Sequence, residues 1–399
     1  MEEGVNMTVS RLCASLGIES YPEKFEELYE KIDKSCAIPY GEDYLASLES
    51  EYSLFGEHYG EVIDAYRELT LDRNLSLWCA LAVNFVTGNA EKCEIRSLNF
   101  PKTEGSASDM MRLFVLASLV PSCAELYAAH GFSQKEILDI LEVFKRCLAL
   151  SKVALKRPGY KDSYYGWTLI YMFCEMFDYG SFNFQFVEIK DKIKLLKNKT
   201  TGECAFFFTE GRFHRDGKAL GDAGFTDEEG AFDADFTESE TEYTAHLIVN
   251  ARVSKELSVL KKSEWETLVE DGDEALGLHI PSGVDFSKEA IDESLKTGLE
   301  IAKKRFPEYS PKIITCASWL LDPALRTLLG EGSRIVAFGE RFIRCPGKAS
   351  LGRSGFSFVF LGYSCPDSEL PDDTSLRRKL KKHYLDGGFT YGYRGFIVD

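Results

Sequence analysis

Apolar positions recur at helical spacing through roughly the first 180 residues. The clearest run follows Ser133-Gln134-Lys135-Glu136, where Ile137, Leu138, Leu141, Phe144, Cys147 and Leu148 fall on one face. There the serine hydroxyl can accept from an orphan amide of the first turn, while the glutamate three places on reaches back. Similar stripes predict helices over 22–35 (Phe25, Leu28, Tyr29, Ile32), 42–55, 59–86, 108–120 and 163–178. Pro39-Tyr40-Gly41 and Arg157-Pro158-Gly159 punctuate them. No repeat of fixed period is present, which argues against a solenoid.

Near Gly180 the period changes from helical to twofold. Asn183-Phe184-Gln185-Phe186-Val187-Glu188-Ile189 alternates polar and apolar, as a half-buried strand does. Cys204–Phe208, Phe213 and Tyr243–Asn250 continue the strand character. The acidic stretch from Asp227 to Glu242 lacks the ligand spacing of a calcium loop and reads as a solvated connection. From Ser254 the pattern predicts a helix over 254–270, a strand over 275–280, a long amphipathic helix over 287–306 and a strand over 312–318. A short helix is expected over 322–329, then strands over 334–344 and 356–363 closing as an antiparallel hairpin. A strand, a helix of that length and another strand form a βαβ crossover, so 275–280 and 312–318 should be parallel neighbours. From Pro366 an acidic stretch precedes a basic one (Arg377 to His383), which reads as a solvated helix paired to nearby acids. The expected organisation is a helical domain over 1–180, an α/β domain over 181–365 and a C-terminal extension over 366–399.

Composition narrows the partners more than the fold. The 399 residues give room for two cores. A net charge of −17 argues against nucleic acid, because phosphate binding needs a basic surface. The eleven cysteines are scattered, with no CxxC pair and no histidine at zinc-ligand spacing. They read as free thiols of a reducing cytoplasm, and no metal is expected. Met1-Glu2-Glu3-Gly4 does not resemble a secretory signal, and apolar runs stop near ten residues, so no membrane partner is expected. Phosphate-loop, nucleophile-elbow and His-Glu-x-x-His signatures are all missing.

Two strings point to a family: Leu278-His279-Ile280-Pro281, and Cys316-Ala317-Ser318-Trp319-Leu320-Leu321-Asp322-Pro323. With Ser333–Phe342 downstream, they resemble the C-terminal domain of a bacterial acyltransferase family. In it a helical N-terminal domain precedes a GNAT-like mixed-sheet domain, and the similarity spans most of residues 10–362. The resemblance implies an α+β two-domain fold and an acyl-CoA-dependent N-acyltransferase, with acetyl-CoA the expected donor and a small amine the acceptor. The alternative is a non-catalytic GNAT-like module that binds a ligand or a protein.

The resemblance also assigns candidate roles. The donor's pyrophosphate would meet the loop and helix start at 281–287, a helix N-terminus being a general anion site. That makes Pro281, Ser282, Gly283 and Ser287 the cofactor-binding candidates, with Gly283 allowing close backbone approach and Ser287 capping the helix. The loop has one glycine and no Arg or Gln, unlike the usual pattern, and it carries Asp285. Arg344-Cys345-Pro346-Gly347-Lys348-Ala349 has the right letters but lies between predicted strands, so it reads as a turn. Of the catalytic candidates, His279 would serve as general base at the carboxyl end of its strand. Ser318 would donate to a carbonyl or relay a proton, and Trp319 would wall the pantetheine channel. Asp322-Pro323 reads as a helix start. No tyrosine lies within 322–329 to act as general acid. Cys316 is expected to be buried and unreactive.

Overall fold

The computed structural model describes residues 7–34, 38–88, 90–347 and 352–398. The reading of the first four residues and of Cys36 lies outside them, as do Lys348 and Ala349. The chain forms two compact units, Met1–Phe177 and Asp178–Asp399.

The first unit is built from helices. The box at Ser133 is formed: Ser133 Oγ accepts from Glu136 N at 3.3 Å, and Glu136 Oε2 accepts from Ser133 N at 2.7 Å. The stripe over 59–86 is two helices, Tyr59–Leu71 and Arg73–Thr87. Asp72 divides them, because its carboxylate caps the second by accepting from Asn74 N and Leu75 N at 2.9 and 3.0 Å. Arg73–Thr87 is buried along nearly its whole length, as a helix apolar on every side must be. The helix expected over 163–178 stops at Met172, and Cys174 turns the chain at φ +55° into the first strand. Ser106–Ala129 is long and apolar enough to span a bilayer by length and composition, but 61% of its apolar window is buried inside the fold. It is core.

The second unit carries most of the strands: β1 (Met176–Tyr179), β2 (Phe182–Glu188), β3 (Ile193–Asn198), β4 (Cys204–Phe208), β5 (Arg212–Phe213), β6 (Phe232–Asp233) and β7 (Thr237–Glu238), then β8 (Glu242–Val249), β9 (Arg252–Lys261), β10 (Trp265–Glu270), β11 (Glu274–His279), β12 (Ile314–Ser318), β13 (Ile343–Pro346) and β14 (Tyr393–Ile397). One sheet has the order β1-β2-β11-β12-β14-β13; a second has β10-β3-β4-β8-β7, with β9 on β8. The fold is the expected one, a helical region followed by a mixed-sheet α/β domain. β11 and β12 are parallel, with Leu276 opposite Ile314 and Leu278 opposite Cys316, and helix Lys288–Arg305 makes the crossover.

Three predicted elements are different in the structure. Residues 254–270 are not a helix but strands β9 and β10, paired to β8 and β3. Leu257 and Leu260 happen to fit a helical stripe, but Leu257 is exposed and Leu260 buried, as the two faces of a strand require. The turn feeding β9 is Asn250-Ala251, both at positive φ, the geometry of a tight hairpin. Residues 334–344 begin as a helix (Arg334–Gly339) before β13, and 356–363 contain a short helix, Phe356–Val359. The hairpin between them therefore does not form. Arg344–Pro346, read as a turn, belongs to β13, whose antiparallel partner is β14. The segment from 366, expected as an extension, supplies helix Ser375–Leu385 and the strand β14 between β12 and β13.

One face of the first sheet packs against the second through Ala275, Ile313, Cys345 and Phe396 on one side and Ile193, Leu195, Phe206 and Val269 on the other. Each large apolar side chain buried there contributes roughly 1.5–3 kcal/mol. The opposite face is covered by helix Lys288–Arg305. Gly298 of that helix lies so close to Phe184 of β2 that a Cβ would enter the contact distance of its ring.

Candidate functional site

Strand register places the site. β11 and β12 pair only as far as Leu278–Cys316, whereas β12 continues to pair with β14 as far as Ser318–Tyr393. Beyond Cys316 the two parallel strands are no longer paired to each other, although His279 still pairs with β2 and Ala317 and Ser318 with β14. The face that carries Ala275 and Ile313 in the core carries His279 and Ala317 at the parting, because side chains alternate along a strand. Ala317 is solvent-exposed although its strand has neighbours on both sides. An exposed small residue inside a sheet means that nothing covers that patch of the sheet within this unit.

Four polar side chains frame the opening. His279 Nε2 and Gln185 Oε1 are 2.8 Å apart, a diagonal pair across β11 and β2. Burial, aided by the charge of nearby Arg394, brings the His279 pKa down to about 4. The imidazole is thus neutral, and Nε2–H is the natural donor to the amide oxygen. Arg394, opposite Ala317 in the ladder, is held by Asp191, with Nε to Oδ2 at 3.1 Å and Nη2 to Oδ1 at 3.3 Å. Asn183 lies on the same face and is only 5% exposed. Gln185, Ala317 and Arg394 were not singled out from the sequence. The signal for the first was present: Asn183 and Gln185 are the polar positions of an alternating strand, and they face the sheet's interior side rather than bulk water.

The predicted residues divide into two groups. His279 lies at the parting. Ser318 lies at the end of β12, where its Oγ accepts from Leu320 N at 3.1 Å and caps the following turn. Trp319 does not line an opening. It is 9% exposed and packed with Leu325, Val336, Phe360, Leu380 and Tyr384, and Gly355 stacks so closely that no Cβ fits there. Its indole is core because the C-terminal helix folds back over it. Asp322 is 4% exposed and accepts from Ala324 N and Tyr391 N at 3.0 and 2.9 Å, a structural tie between the end of β12 and the start of β14. Burial lifts the Cys316 thiol to about 12, so it is no nucleophile.

Pro281, Ser282 and Gly283 form a partly exposed turn before helix Lys288–Arg305, with Gly283 at φ +81° and open space where a Cβ would be. Ser287 caps that helix, its Oγ accepting from Ala290 N at 3.4 Å. Asp285 also takes part in the cap: its carboxylate accepts from Ser287 N at 2.8 Å and from Ser287 Oγ at 2.9 Å. A carboxylate therefore sits where an external anion would approach the helix end, and Arg334 stands 3.6 Å from it. Among the described residues no group of acids, histidines and cysteines is arranged to hold a metal.

Comparison with known proteins agrees with this architecture. A family model described as the GNAT-like C-terminal domain matches residues 176–397. No curated protein matches the chain significantly. Among solved structures, an acyltransferase in complex with decanoyl-CoA and teicoplanin is 17% identical with a TM-score of 0.62, covering 98% of this chain and 99% of that one. A mutant acyltransferase in complex with octanoyl-CoA is 18% identical with a TM-score of 0.64 over the same shares. An acyltransferase in complex with CoA and 10C-teicoplanin is 18% identical with a TM-score of 0.63. At these identities the likeness is one of fold.

Proposed function

The chain belongs to the GNAT-like C-terminal domain family, and on that premise we propose that it is an acyl-CoA-dependent acyltransferase that acylates an amine. The observation that carries the reading is the parting of β11 and β12 beside the exposed Ala317. A thioester laid into that gap would lie along the main chain at the ends of both strands, where an N–H turned toward it can polarise its carbonyl. The acceptor nitrogen attacks the carbonyl carbon, the carbon–sulfur bond breaks, and the thiolate leaves to be protonated. In this reading the proton lost by the nitrogen passes to Nδ1 of His279, whose imidazole is neutral. Gln185 holds the ring in place. Ser318 alternates to the other face of β12 and caps the turn after it, so the thiolate takes its proton from solvent. The turn at 281–287 is the proposed seat of the donor's pyrophosphate, with Gly283 and Ser287 nearest the helix end.

The acyl group is the less constrained half. Acetyl was the donor expected from the sequence, whereas the solved neighbours hold decanoyl- and octanoyl-CoA. The reducing cytoplasm belongs to the same proposal, supported by ten free cysteines among the described residues.

A second reading, a binding module without turnover, is favoured by one feature: Asp285 occupies the helix end that would hold phosphate. Calorimetric titration with CoA, acetyl-CoA and octanoyl-CoA, followed by thiol release in the presence of amines, separates the two. Ala317→Leu, which fills the gap with a side chain that meets open space, should raise the KM for the acyl-CoA about tenfold or more and leave the melting temperature unchanged. Donor binding without thiol release across a wide panel of amines would favour the module. An unchanged KM in the leucine variant would mean that the donor binds elsewhere.

A further inference from the structure

A cavity of about 200 Å³ lies on the helix-covered face of the same sheet, away from His279 and Ala317. Its apolar wall is made by Leu320, Leu325 and Val336, from the turn after β12 and the two short helices Leu325–Leu329 and Arg334–Gly339. Arg344 of β13 reaches it by strand alternation: Cys345 faces the inter-sheet core, so Arg344 faces the other way. The Arg344 guanidinium is half-buried and makes no ion pair among the described residues. Its hydrogen bond is a long one, from Nη1 to Leu321 O at 3.4 Å. The neighbouring cation, Arg326, is already paired to Glu340 through Nε at 3.1 Å.

A half-buried guanidinium with most of its five donors uncommitted among the described residues is an uncommon residue to find in a folded protein. Burial of such a charge is costly unless a partner compensates it. Guanidinium geometry matches a carboxylate through two parallel N–H donors. The volume corresponds to about six or seven waters at ~30 Å³ each, and three aliphatic side chains line it. We infer that this cavity is a second ligand site, taking a short aliphatic carboxylate whose head is held by Arg344 and whose tail lies on Leu320, Leu325 and Val336. The two carboxylates at its edge bear on the sign of the ligand. Their charges act on Arg344, but both Asp322 oxygens accept main-chain amides and Glu340 is held by Arg326, so the Arg344 donors themselves are left for a ligand carboxylate.

The site is independent of the acyl-donor reading and is tested on the full chain without any acyl-CoA. Hexanoate should bind in the millimolar range by calorimetry, butyrate more weakly, and hexylamine, with a similar tail and the opposite charge, not at all. Arg344→Gln should weaken hexanoate about tenfold or more. Arg344→Lys, which keeps the charge and loses the paired donors, should lie between. Melting curves of the variants establish that they are folded. Amine binding in preference to the acid, or hexanoate affinity unchanged in folded Arg344→Gln, overturns the assignment. So does the loss of hexanoate binding in saturating CoA, since that would make the cavity part of the donor site.

Discussion

His279 is a neutral side chain by virtue of where it sits. Its pKa, lowered to about 4 by burial and then by Arg394, lies below the ordinary value of about 6.5. Between those two values the unfolded chain binds a proton that the folded chain does not, so stability falls as pH drops through 6.5 toward 4. Melting curves from pH 7.5 to 4.5 should show this slope, and His279→Gln should reduce it. For the same reason kcat/KM should show no histidine step between pH 5 and 8. His279→Ala should lower turnover about 100-fold, the ordinary scale for a general base, with acyl-CoA affinity little changed. The variant should also melt earlier, because Gln185 loses its partner at a cost of about 1–3 kcal/mol. Activity per folded molecule is therefore the measurement that counts. A less stable variant with full turnover would leave His279 a structural residue.

At the scale of elements, the site depends on helix Lys288–Arg305 lying close to β2. The approach is set by Gly298 against Phe184, where a single methyl group has no room. Gly298→Ala should push the helix outward and destabilise the second unit by about 1–3 kcal/mol, although alanine is the better helix former. A variant that melts at or above the parent temperature would show that the helix can shift without loss. The capping serine Ser287 and the turn before it move with this helix, so donor affinity should weaken in the same variant. The pair β9–β10 shows the opposite relation between local pattern and outcome. Leu257 and Val259 are exposed apolar residues on a long strand, and only pairing with β8 makes the segment a strand at all.

Across the whole molecule, the last residues are structural. β14 is paired on both sides, with β12 and β13, and Phe396 enters the core between the sheets. A chain ending at Cys365 should lose cooperative unfolding of the second unit and aggregate through the exposed strand edges, while the helical unit keeps its far-ultraviolet signal. Two cooperative units in the truncated chain would show that β14 is dispensable. What the sequence by itself determined is local in origin: the capping box at Ser133, the long crossover helix, the alternation in β2, and hence a parallel β11–β12 pair with His279 at its carboxyl end. Each follows from periodicity or capping, which act over a few residues. The tertiary structure alone decided the rest. Trp319 became core and not a channel wall because a helix some sixty residues downstream covers it. Residues 254–270 became strands because β8 and β3 offered unpaired edges. Arg394 came to stand beside His279 because the chain returns, at its very end, to the middle of a sheet begun two hundred residues earlier. Contacts so distant in sequence leave no period to read, and they are set by which edges and faces remain to be satisfied once the local elements have formed.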